Sequence, residues 1–243
     1  EGQHSTKQNI RATLWAIEPP MIDILHERSS DSPLVESVSS GRTLSAGSTI
    51  RPAETNWHMV IVSHSGRTRL LLVGPMGSSG LAAWGAGGEI LWIKFKLGVF
   101  MPQWPVRSLL DAETALPDAP FRSFRLSGSA WELPTLENAD TFVDQLMRQE
   151  LLVRDPLIDD VLRGHAPDLS PRTLRHRFLR ATGLSHGHIV QFNRAKAAER
   201  LLLQGVPILD TVYQLGYFDQ PHLTRSLRQF IGRTPGQIVQ SSP

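Results

Sequence analysis

The sequence predicts an α+β chain. A β-sandwich or barrel-like domain over residues 9–130 leads into an all-α domain over 138–241, with seven helices and two helix-turn-helix units. Three observations carry that prediction. Short apolar runs separated by Gly- and Pro-rich connectors fill the first ~130 residues, with no crossover helices between them. From Asn138 onward, apolar residues recur at helical spacing with short breaks. Finally, Ser170–Gly183 and Asp219–Pro235 repeat one device. In each, a capping residue and a proline open a short helix with apolar residues at i and i+4, and a glycine closes it.

Taken in order, Ile10–Ile17 and Pro33–Val38 are the weaker strand candidates. Trp57–Ser63, the turn Ser65-Gly66 and Thr68–Val73 read as a hairpin. Glu89–Leu97 alternates, with Leu91, Ile93, Phe95 and Leu97 on one face and Trp92, Lys94 and Lys96 on the other. Leu126–Leu136, which contains Gly128 and Pro134, reads as a linker. Asn138 or Asp140 then caps a helix with the apolar stripe Phe142, Val143, Leu146 and Met147. That stripe suits either the helical domain or a second chain, so a homodimer stays open. Breaks at Arg154-Asp155-Pro156, Ala166-Pro167, Gly183, Gly205, Gly216 and Gly232 divide the remainder into about seven helices.

In the C-terminal unit, Pro207 suits a first helical turn, Leu209, Val212 and Tyr213 are expected inside, and Gly216 ends the helix. Asp219 caps the next helix, where Leu223, Leu227 and Phe230 bury. Gln220, His222, Thr224, Arg225 and Arg228 are left pointing elsewhere, and such side chains suit base edges and phosphates in a major groove. Upstream, Ser170 caps, Pro171 follows, and Leu174 and Phe178 bury, which leaves Arg172, Arg175, His176 and Arg180 for solvent or DNA. Pro156–Leu162 is the partner helix of that unit. Between the units, Ser185–Leu203 reads as one long helix, able to hold two recognition helices roughly 34 Å apart, about one DNA turn.

Charge agrees with an anionic partner for this half. Net charge is +2, but residues 151–243 hold 12 Lys/Arg against 7 Asp/Glu, net +5, and residues 1–150 hold 13 against 16, net −3. Hydrophobic content of 40% and charged content of 20% fit a globular chain rather than a disordered one. The absence of cysteine excludes disulfides, thiol nucleophiles and Cys-zinc sites in these residues. No apolar run approaches the ~20 residues of a membrane span, and Glu1–Lys7 lacks the apolar core of a signal peptide, so a cytoplasmic protein with no membrane partner is expected.

Several of these residues carry a family resemblance. Gly183-Leu184-Ser185, Arg194, Ala198, Leu201-Leu202 and Gly205 are followed by Gly216-Tyr217-Phe218-Asp219-Gln220, His222-Leu223, Arg225, Phe230 and Gly232-Arg233-Thr234-Pro235. Over about 155–240 this frame resembles the AraC/XylS family of transcription regulators. The resemblance implies seven helices whose two helix-turn-helix units bind one face of double-stranded DNA, with other promoter contacts to RNA polymerase. By position it places Arg172, Arg175 and His176, then Gln220, Pro221, His222 and Arg225, against the bases. Pro221 stands where a polar side chain is common in the family, and the first unit lacks the usual alanine-rich first helix.

Many members of that family carry an N-terminal β-barrel that binds a small effector or mediates dimerisation. Trp57, Trp84 and Trp92 are the candidate lining of such an effector pocket. His58 and His64 fall on one strand face, but the paired His-x-His with a following Glu is missing, so no metal and no cofactor is expected. The competing reading is a barrel-type enzyme or metal-binding domain with an appended helical interaction domain. It requires a metal triad or paired acids within residues 1–130, and neither is visible, so a non-enzymatic regulator is expected.

Overall fold

The computed structural model describes residues 22–119, 122–165 and 168–240. The strand candidate Ile10–Ile17 lies outside them. Among the described residues thirteen strands run in chain order: β1 (Ile22–Ser29), β2 (Val35–Thr43), β3 (Gly47–Arg51), β4 (His58–His64), β5 (Arg67–Val73), β6 (Gly80–Trp84), β7 (Glu89–Phe95), β8 (Val99–Phe100), β9 (Glu113–Ala115), β10 (Asp118–Ala119), β11 (Ser123–Leu126), β12 (Ser129–Glu132) and β13 (Val153–Arg154). A short 3-10 turn, Val106–Leu109, interrupts them. The helices are α1 (Ala139–Arg148), α2 (Leu157–Leu162), α3 (Pro171–Thr182), α4 (His186–Leu203), α5 (Ile208–Gln214), α6 (Gln220–Phe230) and α7 (Pro235–Gln240). The expected α+β arrangement, strands first and helices after, is the one observed.

The main sheet has the order β1-β2-β7-β4-β5-β9 with every pairing antiparallel. The β4–β5 turn places Ser65 at φ 50° and Gly66 at φ 76°. Two consecutive left-handed residues give a turn whose twist matches that of the paired strands. Along β7, Leu91, Ile93 and Phe95 enter one core, and Ile90 and Trp92 enter another on the opposite face. Both faces of this central strand are therefore covered, and its expected polar face carries a buried tryptophan.

The stretch expected to be a linker is instead the β11–β12 hairpin, turning through Ser127 (φ 51°) and Gly128 (φ 82°). It brings Phe124, Leu126 and Trp131 onto the first core, where α1 lies against it. Phe142 meets Phe124 and Trp131 edge-on at 6.1 and 6.2 Å. The α1 stripe is thus occupied within the chain by Phe142, Val143 and Leu146, while Met147 is exposed. Strand β13 pairs with β8, and Phe178, Ala181, Leu184 and Ile189 join the same core. A second core holds Phe192, Ala195, Ala198 and Leu202 of α4 together with Val212, Leu223, Leu227, Phe230 and Ile238. Among the described residues, no helix is long and apolar enough to cross a membrane.

A part-buried polar network lies beside the sheet. Lys94 Nζ is 3.1 Å from Glu36 Oε1 and 3.4 Å from Glu54 Oε2, and Asn56 Nδ2 donates to Glu36 Oε2 at 2.8 Å. Burial works to lower the Lys94 pKa, but Glu54 and Glu36 outweigh it and raise the value. Burial pushes the neighbouring Arg51 down to about 10. His58 is fully enclosed here. Burial, followed by the charges of Lys94 and Arg51, holds its pKa well below the usual 6.5.

The sign of the pH effect follows. The unfolded chain takes up a proton at position 58 below about pH 6.5 while the folded chain does not, so this contribution to stability is complete above pH 6.5 and falls as pH drops. The expected slope reaches about 1.4 kcal/mol per pH unit. Urea unfolding at pH 7.5 and 5.5 should show the loss in the native chain and a smaller loss in His58→Gln. Equal losses in both chains would assign the effect to other groups.

Candidate nucleic-acid interface

Helix α6 is specified locally at both ends. Asp219 caps it, its Oδ1 accepting from the His222 backbone N–H at 2.7 Å, with Pro221 in the first turn. Leu223, Ser226, Leu227 and Phe230 bury, and Gln220, Pro221, Arg225 and Arg228 are exposed. Two expected contact residues are partly engaged inside the protein. The His222 ring packs edge-on to Tyr217 at 5.2 Å, and its Nδ1 accepts from the Phe218 N–H at 3.4 Å. Thr224 Oγ1 donates back to the Gln220 carbonyl at 2.9 Å.

The preceding helix differs from expectation. Leu209 and Tyr213 of α5 are exposed, at 58% and 80%, whereas Val212 buries as expected and Thr211 buries beside it. Pro207 sits one step before the helix as its cap rather than inside it, and the buried face runs through Ile208, Thr211, Val212 and Leu215, one position from the expected one. Gly216, at φ 64°, ends the segment in the left-handed conformation that glycine adopts without steric penalty.

Helix α3 repeats the device. The Ser170 side chain accepts from the Thr173 N–H at 3.2 Å, Pro171 follows, and Gly183 closes the helix at φ 74°. Phe178 buries, Leu174 is half-buried, and Arg172, Arg175 and His176 are exposed. Arg180 is drawn away from that group, its guanidinium lying 5.1 Å over the Phe100 ring of the strand-rich half. Sequence reasoning missed Arg177, whose Nε and Nη2 hold Asp155 at 3.0 and 2.5 Å and so lock α3 to the start of α2. Arg194, which the sequence marks only as part of the family frame, covers the Tyr217 ring at 4.4 Å and ties α4 to the second unit.

Helix α4 joins the two units without a break. Its 18 residues span about 27 Å at the ordinary helical rise. Ile189 belongs to the first core and Phe192 onward to the second. The strand-rich half also closes the far end of α6. The Ser79 N–H donates to Gln229 O at 2.7 Å, Ser79 Oγ donates to Arg228 O at 2.8 Å, and the Ala53 N–H donates to Phe230 O at 2.7 Å. These carbonyls have no partner within the helix, so the contacts act as a cap supplied from elsewhere in the fold.

The proposed effector residues do not converge. Trp57 is buried in the first core, stacked on Phe95 at 4.2 Å and donating from Nε1 to Val99 O at 2.7 Å. Trp92 belongs to the core on the opposite sheet face, and Trp84 packs at the margin of that core while donating to Ser45 O at 3.1 Å. His58 is buried and His64 is exposed at the other end of β4. Among the described residues, no three His, Cys, Asp or Glu side chains are grouped to hold a metal ion.

With two capped helices of this kind on one rigid spacer, the comparisons with known proteins become specific. A family model described as a helix-turn-helix domain matches residues 166–241. The HTH-type transcriptional regulator VirS of Mycobacterium tuberculosis, from strains CDC 1551 / Oshkosh and ATCC 25618 / H37Rv, is 42% identical over 71 residues. The C-terminal segment is an AraC-type helix-turn-helix domain. The aligned region is 29% of this chain and 21% of VirS, so the similarity speaks for the AraC-type domain and leaves the strand-rich half without a relative among these matches. No solved structure matches the chain.

Proposed function

We propose that the chain is a sequence-specific transcription regulator that reads double-stranded DNA with α3 and α6. Control comes through its strand-rich half, by a small effector or a protein contact. RNA polymerase is a further partner in this reading, self-association is compatible with it, and no catalytic role is assigned. The observation that supports it best is the pair of similarly capped helices, each with exposed polar side chains, held on one continuous α4. In α6 these are Gln220 at the N-terminal end, Arg225 at mid-helix and Arg228 one turn further. In α3 they are Arg172, Arg175 and His176, beside which Arg180 is engaged with Phe100.

Fluorescence anisotropy against the chain's own upstream DNA, with a random duplex at the same salt, tests this directly. The specific site should be bound at least ~10³-fold more tightly, with affinity falling steeply as salt rises. Equal affinity for the two duplexes would contradict the proposal. Within the specific complex, Arg225→Ala should cost about 1–3 kcal/mol and relax the preference at one base position. Arg228→Ala should weaken all sequences alike and reduce the salt slope by about one. Indistinguishable variants would remove this division of roles.

A further inference from the structure

We infer that the cleft between the strand-rich half and the helical half is the effector site, and that it takes a small oxyanion-bearing metabolite, an organic acid or a phosphate ester, between Arg107 and Arg175. The inference rests on the effector-controlled reading above and gives that effector a place and a chemistry. The cleft has a volume of about 570 Å³ and draws its walls from every part of the molecule that would have to respond. Arg107 comes from the 3-10 turn, Ser78 from the loop before β6, Arg175 from α3, His188 from the first turns of α4, and Gln229 from the end of α6.

The polar lining fits an anion. Two guanidiniums from separate elements face one space, and among the described residues neither is in an ion pair. Planar guanidinium forks recognise carboxylate and phosphate through paired hydrogen bonds, a geometry that lysines do not offer. The acidic residue in the wall, Asp111, is engaged with the adjacent loop, its Oδ1 accepting from the Gly77 N–H at 2.8 Å while its own N–H donates to Pro75 O at 2.9 Å. Asp111 therefore shapes the loop that carries Ser78 and leaves both arginines available. Ser78, His188 and Gln229 supply further hydrogen-bonding groups around the same volume.

The location gives the regulatory sign. Arg175 is also a proposed DNA contact, so a bound oxyanion and a DNA phosphate draw on the same guanidinium. Ligand and DNA are then negatively coupled, and by linkage each weakens the other by the same factor.

The test uses the full chain with inorganic phosphate and succinate as probes, each against chloride at matched ionic strength and pH. Melting temperature of the native chain should rise saturably with at least one probe. That probe should weaken binding to the chain's own upstream DNA at least 3-fold beyond the effect of chloride. In R107A, and equally in R107Q, the probe's apparent affinity should fall 10-fold or more, with DNA binding in chloride unchanged. Absence of a saturable response to both probes would overturn the inference. So would identical responses in the native chain and both variants, which would mark an adventitious ion only. A 10-fold loss of DNA binding in chloride on removing Arg107 would also overturn it, since the cleft would then be holding the DNA backbone. If the native chain fails to bind its upstream DNA in chloride, the regulator reading fails on that measurement, while the melting series still decides the oxyanion site.

Discussion

Phe230→Ala is expected to destabilise the second helix-turn-helix unit by about 3–5 kcal/mol and to abolish its contribution to DNA binding. Phe230 is 1% exposed and meets two other rings edge-on, His188 at 5.2 Å and Phe192 at 6.2 Å. Truncation leaves a cavity at the point where α4 and α6 cross, and the cost combines lost transfer energy with lost packing contacts. Because the two cores meet within α4, the damage should be local. Amide hydrogen exchange should show protection in α5–α7 falling roughly 10²-fold or more, at a tenfold loss per ~1.4 kcal/mol. Protection in β4, β5 and β7 should change little. An equal loss in the sheet would mean that the whole chain opens as one unit, which would contradict the division into two cores.

The second large effect is expected at Gly74, where the sheet meets the 3-10 turn. A Cβ built there lies 1.8 Å from the Leu109 carbonyl oxygen and 2.4 Å from its carbon, so backbone must move to admit a methyl group. Gly74 N–H also donates to Ala112 O at 3.0 Å, which holds the two segments in register. Gly74→Ala should therefore cost about 3 kcal/mol or more, the upper end for overpacking a core. The same turn carries Val106, whose backbone packs within 3.1 Å of a Cβ position at Gly183, so a shift there reaches the end of α3. Urea unfolding supplies the measurement, with Gly187→Ala as the comparison. Position 187 is helical with open space around it, and alanine there should leave stability unchanged or raise it by about 0.5 kcal/mol. Similar midpoints for the two variants would refute the steric argument.

What the sequence disclosed follows the range of the interaction. Ser170 with Pro171, and Asp219 with Pro221, announce α3 and α6 because a cap acts within three residues. The Ser65-Gly66 turn is legible for the same reason. Leu126–Leu136 reads as a linker although the β11–β12 hairpin overlaps it, because those strands are four residues each and the Ser127-Gly128 turn resembles any flexible connector. In α5 the expected inner face lies one position from the buried one, which places Leu209 and Tyr213 at the surface, since i, i+4 spacing alone does not say which face is inward. The fate of Arg180 depends on Phe100, eighty residues earlier, and that of the α6 terminus on Ser79 and Ala53. Such pairings are set by sheet register and docking, which no local pattern encodes. The three tryptophans share a residue type, but Trp57 packs in the core on one face of the main sheet while Trp92 and Trp84 belong to the core on the other, a distinction that only the tertiary arrangement supplies.

The meeting of the two cores inside α4 bears on modularity. Families that recombine sensing and reading modules are expected to join them at a loop, where exchange disturbs little. Here the joint is a continuous helix, and α1, α2 and most of α3 bury their apolar residues with the strands. A graft cut at residue 138 would carry Phe142, Leu146, Phe178 and Leu184 away from the surface they cover and leave both pieces with exposed apolar faces. Exchanging the strand-rich half therefore means exchanging the first helix-turn-helix unit with it, while the second unit, whose apolar residues pack mainly on α4 to α7, would lose the cap that Ser79 and Ala53 supply to the end of α6.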